Sequence, residues 1–384
     1  MEKVRVGIIG VGGMGYAHCK SVKSIQETEL TCVSDVDENV ARERGEEFKV
    51  KYFTDYKDLI KSGLCDAVIV ATPHWFHPEI SIFAFENGLH VLSEKPIAVK
   101  VSDADKMIEA AKKSGKVFSI MFQRRTEPLF KKAKDIVKSG LLGGIQKSVC
   151  IDPWYRSQAY YDSGTWRATW IGEGGGVLIN QAPHTIDLFT QLAGLPKKIE
   201  AKTRTKLHDI EVEDEVSAVL EYENGALGWY YTSTCEPVGP FHLEITGDKG
   251  KLIIIGHSLT FYSFESPISE FTKKAPDMWA SLRYTEEKIE ISSNVETGHA
   301  VIIRNFARKI LYGEELIVKG EEGLNSVEFI NACILSGKKN KPVEIPVDRR
   351  EYDDLMEELK KTSKPKKVVK VQRVTDPNIA KKIK

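Results

Sequence analysis

A glycine-rich turn near the N-terminus restricts the possible folds more than any other feature of the sequence. Residues 4–10 form a Val/Ile-rich run typical of a buried strand, a helical pattern begins at about residue 14, and the turn between them has the spacing Gly-x-Gly-x-x-Gly. Such a strand–turn–helix unit presents free N–H groups and the positive end of the helix dipole to a phosphate. It therefore predicts a dinucleotide pyrophosphate site. The residues predicted to form the loop are Gly10, Gly12, Gly13, Met14 and Gly15.

An acidic residue closes the second apolar run, 20 residues after Gly15. A carboxylate at this place accepts hydrogen bonds from the adenosine ribose hydroxyls and repels a 2′-phosphate. This residue is Asp35, and the three residues after it include no Lys or Arg. The sequence therefore predicts NAD rather than NADP as the cofactor.

Strand-like and helical patterns alternate through the first third of the chain. The apolar runs lie at residues 4–10, 30–35, 67–72, 90–94 and 117–122, and the helical patterns at about 14–24, 38–47, 55–62, 76–87 and 102–114. Ser102 and Asp105 have the spacing of a capping box at the start of the last helix. This alternation predicts a doubly wound parallel sheet, a Rossmann domain, over residues 1–123.

The pattern changes near residue 124. After a helix at about 127–139 and a strand-like run at 145–154, the chain reads as short strands with hairpin-like connections from residue 198 to 264. Helices are expected at about 299–312, 323–337 and 350–362. Residues 124–384 are therefore predicted to form an α+β domain with a large, mainly antiparallel open sheet that holds substrate and mediates oligomerisation.

Composition excludes several classes of partner. Lys+Arg and Asp+Glu balance at 55 each, so no overall field draws the chain to nucleic acid or to an anionic membrane. No apolar run is long enough to span a bilayer. The six cysteines are scattered without close pairs, as in proteins of a reducing compartment. The expectation is a cytoplasmic protein whose partner is a small molecule.

Three further segments resemble conserved motifs of the glucose–fructose oxidoreductase / inositol dehydrogenase (Gfo/Idh/MocA) family. They are Ala71-Thr72-Pro73 with His77, the Glu94-Lys95-Pro96 motif that ends residues 88–96, and the triple glycine Gly174-Gly175-Gly176 followed by Asn180, His184 and Asp187. The resemblance runs from residue 4 to at least 260. It implies an NAD-dependent enzyme that transfers a hydride between nicotinamide and a secondary hydroxyl of a sugar, inositol or related polyol.

The resemblance also implies roles for single residues. Lys95 is expected to contact the substrate and the nicotinamide ribose, and His184 is expected to exchange the proton, since the imidazole pKa suits a general base. Many relatives have an aspartate where this chain has Asn180, and an amide cannot carry a proton or a charge. If the segment is helical throughout, Asn180 and His184 project from one face.

Further residues complete the predicted site. By the resemblance, Trp166 and Arg167 approach the nicotinamide. Arg156 and Tyr160 are candidates to contact a polyol, together with Lys95, Asn180 and His184. The remaining predicted cofactor contacts are Ala71, Thr72, His74, His77, Glu94 and Gln123. His74 and His77 have a His-x-x-His spacing but no third ligand nearby, so no metal is predicted.

Two alternatives to a dehydrogenase remain open. The first is a hydrolase or epimerase that uses tightly bound NAD transiently. The second is a non-catalytic regulator that binds dinucleotide and sugar, although Lys95 and His184 together count against it. By the resemblance, the open sheet is expected to pair copies of the chain as a homodimer or homotetramer.

Overall fold

A computed structural model describes residues 2–292 and 294–364 of the chain. Through the first third, short apolar runs form buried strands, and the segments between them form helices that cover the two faces of one sheet. In chain order the elements are β1 (Val4–Ile9), α1 (Gly13–Ser24), β2 (Thr28–Ser34), α2 (Glu38–Phe48), β3 (Lys51–Phe53), α3 (Tyr56–Lys61), β4 (Ala67–Val70), α4 (His77–Glu86), β5 (His90–Ser93), α5 (Val101–Ser114) and β6 (Phe118–Ile120).

These six strands pair in parallel in the order β3-β2-β1-β4-β5-β6. The chain starts in the middle of the sheet: β2 and β3 are added on one side of β1, and β4 to β6 on the other. The order of the strands therefore reverses between β1 and β4, and the carboxyl ends of these two strands flank the crevice where ligands bind in such folds. The predicted Rossmann fold is confirmed. The edge strand β3 was not predicted, because none of its three residues is buried and they leave no apolar run to recognise.

The rest of the chain combines helices with a second, larger sheet. Its elements are α6 (Pro128–Lys138), β7 (Ile145–Pro153), α7 (Gln158–Asp162), α8 (Val177–Asn180), α9 (Pro183–Ala193), β8 (Lys198–Arg204), β9 (Glu215–Glu221), β10 (Leu227–Ser233), β11 (His242–Gly247), β12 (Gly250–Ile255), β13 (Ser258–Phe264), α10 (Ile268–Lys274), β14 (Tyr284–Ile289), α11 (His299–Tyr312), α12 (Gly323–Lys339), β15 (Val343–Glu344) and α13 (Arg349–Thr362).

The second sheet has nine strands in the order β14-β13-β12-β11-β7-β10-β9-β8-β15. Only the β7–β10 pair is parallel among the strands that the structure describes, so the predicted, mainly antiparallel sheet is confirmed. Its two edge strands were not predicted. β14 is exposed along nearly its whole length, and β15 has two residues, so neither carries an apolar signal.

The two faces of this sheet differ in how they are covered. Helices α9 and α12 pack on one face. On the other face alternate residues of β9 and β10 point outward, and they include Val219 (55% exposed), Leu227 (58%) and Trp229 (40%). The outer face therefore presents apolar side chains that nothing in the described chain covers.

The C-terminal helices return to the first domain. α11 packs against α1, and α12 and α13 pack against α5. The hydroxyl of Ser102 donates to Asp353 of α13, and Asp105 accepts from Arg349, so the predicted capping box at the start of α5 is wrong. The domain boundary at 123/124 stays a prediction, and residues 299–362 contact both sides of it.

A buried ion pair fixes the entry to α9. Arg125 donates to both carboxylate oxygens of Asp187, at 2.7 and 2.5 Å, and also to Glu322 at 2.7 Å. The side chains of Arg125 and Asp187 are 5% and 2% exposed. Three distant parts of the chain therefore meet at one guanidinium.

Across residues 2–292 and 294–364, no helix has both the length and the apolar character needed to cross a membrane.

Replacing Asp187 with Asn should lower the free energy of unfolding by about 3 kcal/mol, because the buried Arg125 charge loses its main partner. Urea denaturation followed by circular dichroism measures the loss. Glu296→Gln is the matched control, since it removes a carboxylate from the more exposed pair with Arg304 and should cost less than about 1 kcal/mol. Equal losses in the two variants would contradict this account.

Candidate active site

The glycine loop lies between β1 and α1 with the geometry that a phosphate needs. Gly10 has φ +84°, and a Cβ on Gly15 would lie 1.8 Å from the Gly10 carbonyl oxygen, so neither position tolerates a side chain. A Cβ on Gly12 would meet nothing within 4 Å, which leaves open space beside the loop. α1 starts without a side-chain cap and without an acidic residue in its first turn. Its first N–H groups are therefore free to bind an anion.

Asp35 is held against this loop. Its Oδ2 accepts a hydrogen bond from the backbone N–H of Val11 at 2.9 Å, and its Oδ1 accepts from the N–H of Asp37 at 3.1 Å. The carboxylate thus lies at the carboxyl end of β2, next to the end of β1. Residues 36–38 carry no positive charge that could receive a 2′-phosphate.

Buried histidines hold the segment after β5. Glu94 accepts from Nε2 of His18 at 2.8 Å and from the backbone N–H of Lys95 at 3.1 Å. Burial would raise the pKa of Glu94, but the hydrogen bond and charge of His18 outweigh it and hold this pKa below its usual value. The two ring nitrogens of His77 lie 2.8 Å from the carbonyl oxygens of Pro96 and Thr72. His77 therefore ties the segment after β4 to the segment after β5.

The ammonium group of Lys95 crosses from the first domain to the second. Its Nζ donates to the backbone carbonyl oxygen of Asn180 at 2.9 Å. Burial lowers the pKa of Lys95, while the charges of Glu94 and Glu173 act in the opposite direction. An amine that is enclosed and has a lowered pKa is typical of a functional site.

The side chain of Asn180 contacts a carboxylate that sequence reasoning missed. Its Nδ2 donates to Glu173 in a very short hydrogen bond, and its Oδ1 accepts from the hydroxyl of Tyr160 at 3.4 Å. Glu173 is buried and also accepts from the N–H of Ala168 at 2.6 Å. Burial raises the pKa of Glu173. The available signal was its place directly before the triple glycine.

An aromatic and cationic cluster surrounds Tyr160. Arg167 donates to its hydroxyl at 2.8 Å, and the guanidinium carbons of Arg167 and Arg156 lie 4.6 and 5.1 Å from its ring centre. Trp166 stacks on the other side of Arg167 and contacts His74 edge-on, with ring centres 6.1 Å apart. The predicted residues of this stretch are thus in direct contact with one another.

His184 lies on a different helical segment from Asn180. α8 ends at Asn180 and α9 begins at Pro183, where a proline lacks the N–H that a continuous helix would use. The expected common helix face is therefore wrong. Nε2 of His184 lies 3.2 Å from Nε2 of Gln123, and its Nδ1 is buried without a partner in the described structure. Burial, with the charges of Lys95 and Arg124, lowers the pKa of His184 well below its usual value, so the imidazole is neutral.

A second buried carboxylate fixes the triple-glycine turn. Oε1 of Glu213 accepts from the N–H groups of Gly176 and Leu178 at 2.9 and 3.2 Å. A Cβ on Gly176 would lie 1.8 Å from the Glu213 carbonyl oxygen, so only glycine fits. Burial raises the pKa of Glu213 to about 7. This contact sets the start of α8 and hence the position of Asn180.

The histidines around the site do not form an evident metal-binding group in the described residues. Both nitrogens of His77 face carbonyl oxygens. Among the residues that the structure describes, His208, Asp214 and Cys235 come close enough together to hold a metal ion. Asp214 there accepts three backbone N–H groups, and His208 bonds to Asp214 and to the carbonyl oxygen of Arg156. These contacts make the cluster a structural support beneath the Arg156 segment.

Comparison with known families agrees with this geometry. Residues 4–122 match the family described as "Oxidoreductase family, NAD-binding Rossmann fold", GFO_IDH_MocA, and residues 130–253 match "GFO/IDH/MocA C-terminal domain". The chain belongs to the Gfo/Idh/MocA family. This Gfo/Idh/MocA protein is an NAD-binding oxidoreductase, and the predictions of family and cofactor are confirmed.

Its relatives include characterised dehydrogenases. Myo-inositol 2-dehydrogenase of Thermotoga maritima is 27% identical over 329 residues, which cover 83% of this chain and 92% of that protein. Scyllo-inositol 2-dehydrogenase (NAD(+)) of Bacillus subtilis is 28% identical over 267 residues, or 66% of this chain and 74% of that protein. The WlbA dehydrogenase of Chromobacterium violaceum, solved with NADH and UDP-GlcNAcA, has a TM-score of 0.78 and 28% identity over 91% of this chain and 97% of that chain.

Asp35→Ser should relax the preference for NADH over NADPH by about tenfold, since it removes a carboxylate that would repel a 2′-phosphate. Fluorescence titration of the two reduced cofactors measures the ratio of their dissociation constants. Asp37→Ser is the matched control, because serine can still cap α2 and the residue lies outside the predicted ribose contact. An unchanged ratio in Asp35→Ser would show that the ribose is bound elsewhere.

Proposed function

We propose that this protein is an NAD(H)-dependent dehydrogenase that acts on a secondary hydroxyl of a sugar, inositol or related polyol. The observation that carries the proposal is the half-buried pair of Lys95 and neutral His184 near the carboxyl end of the Rossmann sheet. The relatives support the substrate class. They include the two inositol dehydrogenases and a levoglucosan dehydrogenase of Pseudarthrobacter phenanthrenivorans, which is 26% identical over 262 residues.

The cofactor fits the residues present. The open space beside Gly12 and the uncapped start of α1 suit the pyrophosphate, and Asp35 suits the adenosine ribose. His74, Gln123 and Trp166 are the residues that we propose to border the nicotinamide half. When bound, the nicotinamide supplies the hydride acceptor or donor. The protein's own residues must position the alcohol and handle its proton.

His184 is the proposed proton acceptor. Its neutral imidazole has one ring nitrogen facing Gln123 and the other, Nδ1, buried without a protein partner. Oε1 of Gln123 also lacks a partner in the described structure, and a half-turn of this amide would present that oxygen to the Nε2–H of His184. In this orientation the lone pair of the imidazole is on Nδ1, and this nitrogen accepts the proton of the substrate hydroxyl when substrate binding uncovers it.

Lys95 is the proposed electrostatic catalyst. As the hydroxyl loses its proton, negative charge develops on the oxygen, and an enclosed ammonium group stabilises that charge far more than water would. The hydrogen bond to the Asn180 carbonyl holds Nζ in one place. The positive charge also disfavours a protonated His184, so the imidazole releases the proton that it has accepted to solvent water rather than keeping it.

Glu173 supplies the negative charge that Asn180 lacks. In this proposal the carboxylate binds the Asn180 amide, balances Lys95 and Arg167, and turns Oδ1 of Asn180 toward Tyr160. Glu173 is a positioning residue, because it acts through Asn180 and Lys95. In this proposal Asn180 and Glu173 together take the place of the aspartate that many relatives have.

One relative supports a second candidate function, an enzyme that uses NAD transiently. The 2,7-anhydro-N-acetylneuraminate hydratase of Escherichia coli is 24% identical over 380 residues, which cover 89% of this chain and 97% of that protein. A lyase, hydrolase or epimerase that reoxidises its own NADH would use the same hydride and proton groups. Stoichiometric NADH formation with a polyol distinguishes a dehydrogenase from such an enzyme.

Assembly and compartment are also proposed. The apolar outer face of the nine-stranded sheet suits pairing with a second copy of the chain, as a dimer or tetramer. All six cysteines are free and five are buried, as expected of a protein in the cytoplasm.

Lys95→Met and His184→Asn should each lower kcat by about a hundredfold or more with a sugar or inositol substrate, because each removes a group that acts on the reacting hydroxyl. NADH binding should stay within a few-fold of the wild type. Lys112→Met, at an exposed lysine on α5, is the control and should leave both quantities unchanged. Full activity in Lys95→Met would overturn the proposed function.

Glu173→Gln should move the alkaline limb of the kcat/KM profile to lower pH. The Glu173 charge raises the pKa of Lys95, so its loss lowers that pKa and the ammonium is lost sooner as pH rises. The other charged groups around Lys95, namely Glu94, Arg156 and Arg167, are unchanged. Glu328→Gln, a buried carboxylate beside Arg349, should leave the limb in place. An unmoved limb in Glu173→Gln would remove Glu173 from the mechanism.

A further inference from the structure

Arg156 stands out among the cations of the site because its partners carry no negative charge. Its guanidinium carbon lies 5.6 Å from the Trp154 ring centre and 5.1 Å from the Tyr160 ring centre, and Nη1 donates to the Tyr155 carbonyl oxygen at 2.9 Å. Within residues 2–292 and 294–364, no carboxylate comes within 4.0 Å of it. A guanidinium has five N–H donors, so most of them remain available.

The other three cations of the cleft are compensated. Lys95 is balanced by the nearby charges of Glu94 and Glu173, and Arg167 is also near Glu173. Arg124 contacts Glu127 at 3.4 Å and interacts with the charge of the buried Asp152. Arg156 itself contacts aromatic rings and a carbonyl oxygen, and it has no ion-pair partner within 4.0 Å in residues 2–292 and 294–364.

Arg156 is also linked to the Lys95 site through Tyr160 and Asn180. Tyr160, on which its guanidinium stacks, donates its hydroxyl to Asn180, and the Asn180 carbonyl oxygen accepts from Lys95. One aromatic ring therefore separates Arg156 from the Lys95 site, and the side chain is only half-buried.

The backbone of Arg156 is fixed on both sides. Its N–H donates to the Thr234 carbonyl oxygen at 3.0 Å, and its own carbonyl oxygen lies 2.8 Å from Nε2 of His208. The two aromatic rings restrict the orientation of the guanidinium, and arginines in binding sites are often held in this way. These contacts hold the guanidinium beside Trp154 and Tyr160 with most of its N–H donors unused.

We propose that the substrate carries an anionic group, a carboxylate or a phosphate, and that Arg156 is the subsite that binds it. This inference rests on the proposed function and narrows its substrate class to acidic sugars or polyols. A neutral polyol offers hydroxyls to a guanidinium but no charge to balance it. The planar fork of arginine matches the two oxygens of a carboxylate or phosphate.

The test compares pairs of ligands with the same ring, in which one member is neutral and the other carries a carboxylate or a phosphate. D-glucose is paired with D-glucuronate and with D-glucose 6-phosphate, and myo-inositol with myo-inositol 1-phosphate. Binding of each compound to the NADH complex is measured from the fluorescence of the protein's tryptophans, and turnover with NAD is measured separately. The carboxylate and phosphate arms show which anion fits. Because binding is read without chemistry, a failure of the proposed dehydrogenase activity is seen only in the turnover arm.

We expect the wild type to bind an anionic member of a pair at least about tenfold more tightly than its neutral partner. Arg156→Gln should remove this preference, Arg156→Lys should keep part of it, and Arg350→Gln, at an exposed arginine of α13, should keep all of it. NADH affinity verifies that each variant is folded. Equal binding of charged and neutral partners by the wild type, or an unchanged preference in a folded Arg156→Gln, would overturn the inference.

Discussion

The hydrogen bond from Lys95 to the carbonyl oxygen of Asn180 is the contact on which the arrangement of the site depends. It joins residues 85 positions apart, and it links the end of the Rossmann sheet to the end of α8. A buried ammonium group is costly unless hydrogen bonds and opposite charges surround it. Glu94 and Glu173 supply those charges, one from each domain. The ammonium group of Lys95 therefore needs partners from both domains, and these contacts hold the two domains together at the site.

Most supports of this contact are themselves buried polar groups. His18 holds Glu94, His77 ties the segments after β4 and β5 together, and Glu213 fixes the triple-glycine turn. None of these side chains needs to touch substrate. Each satisfies backbone or carboxylate groups that would otherwise be left unpaired, because polar groups without partners are expensive in an interior. These contacts hold in place the segments that carry Lys95 and Asn180.

The amide at position 180 lies next to a carboxylate that local sequence patterns do not reveal. From the sequence, Asn180 weakens the case for an ionised group beside His184. In the structure, the amide bonds to Glu173, seven residues earlier, and this carboxylate lies close enough to influence Lys95 and Arg167. No local pattern connects these residues, since the glycine turn between them reverses the chain. Glu173 becomes visible only when that turn is folded.

Local patterns in the sequence were enough to identify several features of this protein. Short apolar runs and helical stripes located nearly every buried strand and long helix, the glycine spacing located the cofactor loop, and Asp35 indicated NAD. Folding alone set the break between α8 and α9, the edge strands β3, β14 and β15, and the return of α11 to α13 to the first domain. It also brought Glu94 and Glu173 near Lys95 and placed Arg156 beside two aromatic rings. The physical reason is that helices and strands follow from neighbouring residues, whereas burial, charge balance and hydrogen-bond partners depend on residues that meet only after folding.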